Sequence, residues 1–215
     1  MSRHETAALH TVYRVLSVYF RRRRFQRFSQ VLQPGSGTKI LDVGGCVGSW
    51  SCAECPANIT IVNLEFPPGA QEESPYPLVA GDGRNLHQFK DAAFDIAFSN
   101  SVIEHLGTFE DQQKFASEMR RVGRRLWIQT PARGFFIEPH YITAFVHYFP
   151  KRWQRRLLPH FSVWGWLTRP GYAAVEALLQ EIRLLNYREM RQLFPDCRII
   201  KERFMGLTKS FIAVR

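Results

Sequence analysis

The chain has 215 residues, 45% of them hydrophobic, and 29 Lys plus Arg against 19 Asp plus Glu give it a formal charge of +10. That length suits one domain with a full core and would be cramped for two, and the basic balance favours an anionic partner without naming it. No apolar run approaches the ~20 residues needed to cross a bilayer, and the start of the chain lacks the residue order of a secretory signal, so the expectation is a cytoplasmic protein, with a peripheral position at a membrane as a variant of it.

In chain order, Leu9, Val12, Tyr13, Leu16, Tyr19 and Phe20 recur at helical spacing and predict an amphipathic helix over 5–32 that ends at Pro34-Gly35-Ser36-Gly37. Its apolar face suits packing on the domain. Arg21-Arg22-Arg23-Arg24 would equally suit an anionic membrane surface. Next, Lys39-Ile40-Leu41-Asp42-Val43 reads as an inner parallel strand that breaks into Gly44-Gly45-Cys46-Val47-Gly48. Gly44, Gly45 and Gly48 permit positive φ or close backbone approach, as a ligand-holding turn requires. A dinucleotide GxGxxG would need glycines where Cys46 and Ser49 stand, which argues against a nicotinamide oxidoreductase.

Ile59 to Leu64 is a second inner strand, with Asn63 and Glu65 at its end two residues apart, hence on one face if the strand continues. Prolines 67, 68, 75 and 77 then reduce the following connection to a loop. Leu78-Val79-Ala80 leads into Gly81-Asp82-Gly83-Arg84, where flanking glycines let the Asp82 carboxylate turn inward. Phe94 to Asn100 is a fourth strand and runs into Ser101-Val102-Ile103-Glu104-His105. Thr108 and Asp111 have capping-box spacing ahead of a helix that presents Phe115, Met119 and Val122 to the sheet. Leu126 to Thr130 is a fifth strand. Asn186 and Glu189 start a further helix that stops before Pro195, and Arg198-Ile199-Ile200 and Ser210 to Val214 read as the last strands.

These strand ends, in this order, resemble the class I S-adenosylmethionine-dependent methyltransferases, in the branch with an EH pair after the fourth strand (type 11-like). The family motif DxGxGxG is matched at Asp42, Gly44 and Gly48, with Cys46 in place of the middle glycine. The resemblance implies an α/β Rossmann-like sheet of seven strands, mostly parallel with an antiparallel last strand and helices on both faces. It implies S-adenosylmethionine as cofactor, bound by Asp42, Gly44, Gly45 and Gly48. Glu65, or Asn63 in its place, would take the ribose hydroxyls, Asp82 beside Gly83 the adenine amino group, and Asn100 would close the strand-4 side. A carboxylate accepts both hydroxyls better than an amide does, which favours Glu65 over Asn63.

The chain is expected to be a single domain over 1–215, with residues 131–170, dense in Phe, Tyr, Trp, His and Arg, as a lid that chooses the substrate. His140, oriented by Glu138, is the expected catalytic base, with His105 of the EH pair as the second candidate. Trp127, Tyr141 or Phe136 could turn a ring toward the sulfonium, with core packing as the plainer alternative. Cys46, Cys52 and Cys55 lack a fourth ligand nearby, so no metal is expected and the thiols read as reduced. The expected reaction is methylation of an oxygen or nitrogen on a small, lipid-linked or saccharide-type acceptor. A nucleic-acid methyltransferase, and a non-catalytic membrane- or partner-binding protein that keeps the fold, are the alternatives.

Overall fold

The computed structural model describes residues 20–50, 55, 57–138 and 140–215, so the part of the expected N-terminal helix before residue 20 lies outside the described residues. Seven strands make one sheet: β1 (Lys39–Val43), β2 (Asn58–Asn63), β3 (Leu78–Ala80), β4 (Phe94–Asn100), β5 (Gly123–Pro131), β8 (Arg198–Phe204) and β9 (Leu207–Val214). Their order is β3-β2-β1-β4-β5-β9-β8. Strands β1 to β5 pair in parallel, and β9 runs antiparallel to both β5 and β8. The chain winds outward from β1 in one direction and then returns to place β4 on its other side. That reversal opens a crevice beyond the carboxyl ends of β1 and β4, where ligands bind in sheets of this kind.

Strand alternation feeds two cores. Leu41, Val43, Ala97, Leu126, Ile128, Phe211 and Ala213 face one side, against Phe115, Met119 and Val122 of α4 (Phe109–Val122) and Met190 and Leu193 of α8 (Tyr187–Leu193). Both helices begin as their residues require. The Thr108 hydroxyl accepts from the Asp111 N–H, and Asn186 with Glu189 forms a full reciprocal capping box. The other face carries Ile40, Ile61, Ile96, Phe98, Trp127 and Ile212. It is covered by Phe25, Phe28 and Leu32 of α1 (20–32) and by Trp50, which closes the short helix α2 (Val47–Trp50).

Two connections differ from expectation. The proline-rich stretch after β2 holds one helical turn, α3 (Ala70–Glu73), because its prolines flank the turn and never fall inside it. Residues 131–170 are mostly folded, as the hairpin β6–β7 (Ile137–Glu138, Thr143–Ala144), a 3-10 turn at Val146–Tyr148, α5 (Lys151–Phe161) and α6 (Val163–Thr168). With α7 (Tyr172–Glu181) they share a third core of Tyr141, Val146, Leu158, Val175, Leu179 and Ile182. The expected lid therefore has a hydrophobic centre of its own that extends past residue 170.

Phe28 anchors α1. It is fully buried, with edge-on ring contacts to Trp50, Phe98 and Trp127 at centroid distances of 6.1, 5.2 and 5.5 Å. Phe28→Ala is expected to lower unfolding free energy by about 3–5 kcal/mol, whereas a change at the exposed Gln26 stays within about 0.5 kcal/mol. Equal effects in chemical denaturation would mean that α1 does not dock on this face.

Candidate functional site

The glycine turn is shaped from within. Gly44 has a φ of +78°, and a Cβ there would stand 2.5 Å from Val102. A Cβ on Gly45 would meet Oδ2 of Asp42 at 1.9 Å. At Gly48 no atom of the described residues lies within 4 Å of that position. Asp42 lies under this turn, 2% exposed, and accepts a 2.7 Å hydrogen bond from Trp50 Nε1. Burial pushes its carboxyl up to about 7 against the opposing pull of that bond. The Asn63 amide donates to the Gly45 carbonyl at 3.2 Å, while its oxygen accepts from the Leu64 N–H at 2.9 Å. Asn63 thus fastens the turn to β2, a structural task that its place in the sequence did not reveal.

Beside the turn, at the reversal point, lies a cavity of about 550 Å³. Asp42, Gly44, Gly45, Cys46 and Asn100 are on its wall, with Ile137 and Ile142 from the β6–β7 hairpin and Phe204 and Lys209 from the β8–β9 hairpin. The rings of Phe20, Phe25, Phe98 and Phe135 make it strongly apolar, and Arg21, Arg24 and Lys209 make it cationic. Arg24 leaves the arginine run to reach the sheet. Its guanidinium donates to Asn100 Oδ1 at 3.0 Å and Gln129 Oε1 at 2.9 Å, and stands 3.4 Å from the Glu202 carboxylate. Arg21, Arg22 and Arg23 remain exposed, because helical periodicity puts Arg24 on the buried side with Phe25 and Phe28. The Lys209 ammonium sits 3.1 Å from the Phe20 ring centroid. Burial first, then the neighbouring Arg24, lowers its pKa to about 8.

The other expected cofactor contacts are placed differently. Glu65 is exposed beyond the end of β2 and is not on the cavity wall. Asp82 is held by Arg84, whose guanidinium donates to both carboxylate oxygens at 2.6 to 3.0 Å and also approaches Asp111 at 3.4 Å. This pairing keeps the Asp82 carboxyl below the usual range, against a smaller opposing effect of burial. Gly83 is glycine because a Cβ would press on Val43 and Phe115 at 2.8 and 2.9 Å. Trp127 and Tyr141 are buried in the second and third cores and are not on the cavity wall, so the core-packing alternative holds for both.

The histidines come together, though apart from the cavity. The EH pair forms a 3-10 turn (Ile103–Leu106) after β4. His140 Nε2 faces His105 Nε2 at 3.2 Å, and the rings stand nearly perpendicular at 86°. Glu138, fully buried, accepts from the backbone N–H groups of His140 and Tyr141 at 2.8 and 2.9 Å with one oxygen, and meets His140 Nδ1 at 2.6 Å with the other. Burial opposes protonation of His140, but the Glu138 carboxylate, with Glu104 and Glu181 behind it, outweighs burial and holds its pKa above the ordinary value. His105 Nδ1 meets Glu181 at 2.7 Å, a contact supplied by α7 that no local pattern announces. Glu104 is buried, and burial raises its pKa against its hydrogen bonds and the two histidines.

Residues 41–125 match the sequence model of a family described as a methyltransferase domain, type 11. No curated protein matches the chain at a significant level. Among solved structures, the chain is similar to a putative methyltransferase from an antibiotic biosynthesis pathway of Anabaena variabilis, at 19% identity and a TM-score of 0.54, covering 85% of this chain and 64% of that one. It is similar also to phosphoethanolamine N-methyltransferase 2 of Haemonchus contortus in complex with S-adenosyl-L-methionine, at 13% identity and a TM-score of 0.53, covering 83% and 38%. A protein of Rhodobacter sphaeroides named as a putative zinc-dependent alcohol dehydrogenase shares the fold at 13% identity and a TM-score of 0.54, covering 89% and 88%. At such identities the likenesses speak for the fold, and the family match falls on the segment that carries the glycine turn and the EH pair. Residues 41–125 thus match a methyltransferase domain, and the seven-stranded sheet built around them is the fold shared with these solved structures.

Proposed function

We propose that the protein transfers the methyl of S-adenosylmethionine to an oxygen or nitrogen of a small, anionic acceptor of lipid-linked or saccharide type. The observation that carries this reading is the cavity beside the glycine turn, where aromatic walls and three cationic side chains from two elements meet. Such a lining suits a molecule with an apolar body and a phosphate or carboxylate. Bound at the turn, the cofactor supplies a methyl made electrophilic by its sulfonium. The chain's own residues then have three tasks. Gly44 and Gly45 let the turn close tightly on Val102 and Asp42, and the Asp42 carboxylate offers a negative charge to the cofactor's cationic end. Phe20, Phe25, Phe98 and Phe135 exclude water. Arg21, Arg24 and Lys209 fix the anionic end of the acceptor, so that alignment behind the methyl supplies most of the rate. A peripheral position at an anionic membrane, through exposed Arg21 to Arg23, fits such an acceptor. Among the described residues, no helix is long and apolar enough to cross a membrane.

Asp42 gives the first test. Its raised pKa means that the folded apo protein prefers the protonated form, so this group's contribution to stability falls as pH rises from the ordinary carboxylate range through about 7. A bound cation prefers the ionised form. Affinity for S-adenosylmethionine in calorimetry should therefore rise between about pH 6 and about pH 8. Asp42→Asn should flatten that rise, weaken binding at the upper end and leave the apo protein no less stable. The same pH slope in the variant would remove Asp42 from cofactor binding, and absence of binding to both S-adenosylmethionine and its demethylated product would favour the non-catalytic alternative.

The acceptor class is tested with methyl-labelled cofactor offered lipid extract, saccharide phosphates and RNA in separate reactions. Label is expected in the lipid or saccharide fraction, and Lys209→Met should lower incorporation at limiting acceptor by about tenfold. Label in RNA alone would replace this reading by the nucleic-acid one.

A further inference from the structure

We infer that Glu104, His105 and His140 form a site for a divalent transition-metal ion of the zinc type. Their donor atoms lie within 4.8 Å of one another. Each histidine has its Nδ1 against a carboxylate, Glu138 at 2.6 Å for His140 and Glu181 at 2.7 Å for His105. A carboxylate only accepts, so each Nδ1 carries a proton and each Nε2 presents a lone pair. Those two Nε2 atoms face each other at 3.2 Å. Two lone pairs at that distance repel unless a positive charge lies between them, either a shared proton or a metal ion.

Glu104 decides between the two. Its Oε2 accepts from the Thr130 hydroxyl at 2.9 Å, but its Oε1 is buried, has no hydrogen-bond partner among the described residues and stands 4.0 Å from His140 Nε2. A proton shared by the imidazoles would leave that buried oxygen unpaired, which is costly. A metal ion would satisfy all three donors once Glu104 Oε1, 4.0 Å from His140 Nε2, draws in toward the imidazoles. Tetrahedral zinc with nitrogen ligands at about 2.0–2.1 Å places two of them about 3.3 Å apart, close to the observed 3.2 Å. The Glu138–His140 and Glu181–His105 pairs are the carboxylate–histidine arrangement that orients metal-binding imidazoles. Two nitrogens and one carboxylate are a donor set of intermediate softness. The His105 side chain is 37% exposed, which leaves an entry path and an open coordination position. The ion would cross-link the 3-10 turn after β4 to the β6–β7 hairpin, and both segments adjoin the cavity wall through Ser101, Ile137 and Ile142.

The test uses the full chain, stripped with chelator and titrated with zinc and, separately, with cobalt(II). One ion per chain is expected, with visible cobalt absorption and no thiolate charge-transfer band. Thermal stabilisation by zinc should be present in the native protein and lost in His105→Ala, a partly exposed position where the variant should fold. His140→Ala and Glu104→Gln should weaken affinity by about a hundredfold or more, and Glu138→Gln, which touches no metal, by roughly 10–100-fold. If neither ion binds, or if a thiolate band appears and the histidine variants bind as the native protein does, the metal site is overturned and the imidazoles share a proton. None of these readouts involves methyl transfer, so the failure of either reading leaves the other standing.

Discussion

The hydrogen bond from Trp50 to Asp42 is the contact on which the rest of the site depends. Asp42, one residue before the end of β1, is a buried carboxylate with one donor among the described residues and a glycine pressed over it. Burial pushes its pKa to about 7 against that bond, so ionisation costs the fold on the order of 4 kcal/mol, a penalty that a bound cation would reduce. Trp50 is also the ring around which Phe25, Phe28 and Phe98 gather. One indole therefore sets the position of α1, the pitch of the glycine turn and the direction of the acid. A residue larger than glycine at 45 would displace the carboxylate or the turn, and through Trp50 either change would reach α1.

Because α1 is fixed in this way, its polar side becomes part of the site. Arg24 bridges α1 to the ends of β4, β5 and β8 through Asn100, Gln129 and Glu202. Ser101 completes the network by donating to Gln129 Oε1 at 2.9 Å. The cavity is therefore cationic by construction. Burial and Arg24 lower the Lys209 pKa in spite of Glu202, and an anionic ligand would stabilise its charge further.

What could be read in the sequence was local. Strand alternation, the Thr108 N-cap, the Asn186–Glu189 capping box, the order of strand ends and the glycine turn all depend on neighbours within a few residues, and the sheet and its helices follow from them. Asp82 shows the limit of the same reasoning, for its partner Arg84 stands two residues on and takes the carboxylate that the family pattern reserves for a ligand. Asn63 shows another, since an amide at the expected acid position serves the turn behind it. Arg24 and Glu181 could not be found locally. Their partners lie 76 or more residues away, and only the fold brings them together. The cysteines cluster in sequence and so invite a metal reading, whereas His140 joins Glu104 and His105 only in the fold.

The third core explains why the histidines keep their arrangement at the edge of the domain. The 3-10 turn that carries Glu104 and His105 is clamped to the end of α7, with the Gly107 N–H donating to the Glu181 carbonyl at 2.9 Å and the Arg183 N–H to the Glu104 carbonyl at 2.7 Å. Gly107, at a φ of +69°, leaves no room for a side chain, because a Cβ would stand 2.9 Å from the Gln180 carbonyl. Gln112 from α4 joins the same point, donating to the carbonyls of Ile103 and Arg183 at 2.9 Å. The helix α7 in turn packs through Val175 and Leu179 on Leu158 of α5 and on Tyr141, next to His140. Both histidines are thus held by one hydrophobic unit, His140 through the β6–β7 hairpin and His105 through α7. A change in the packing of residues 131–182 would therefore reach both the imidazole pair and, through Phe135, Ile137 and Ile142, the wall of the cavity beside the glycine turn.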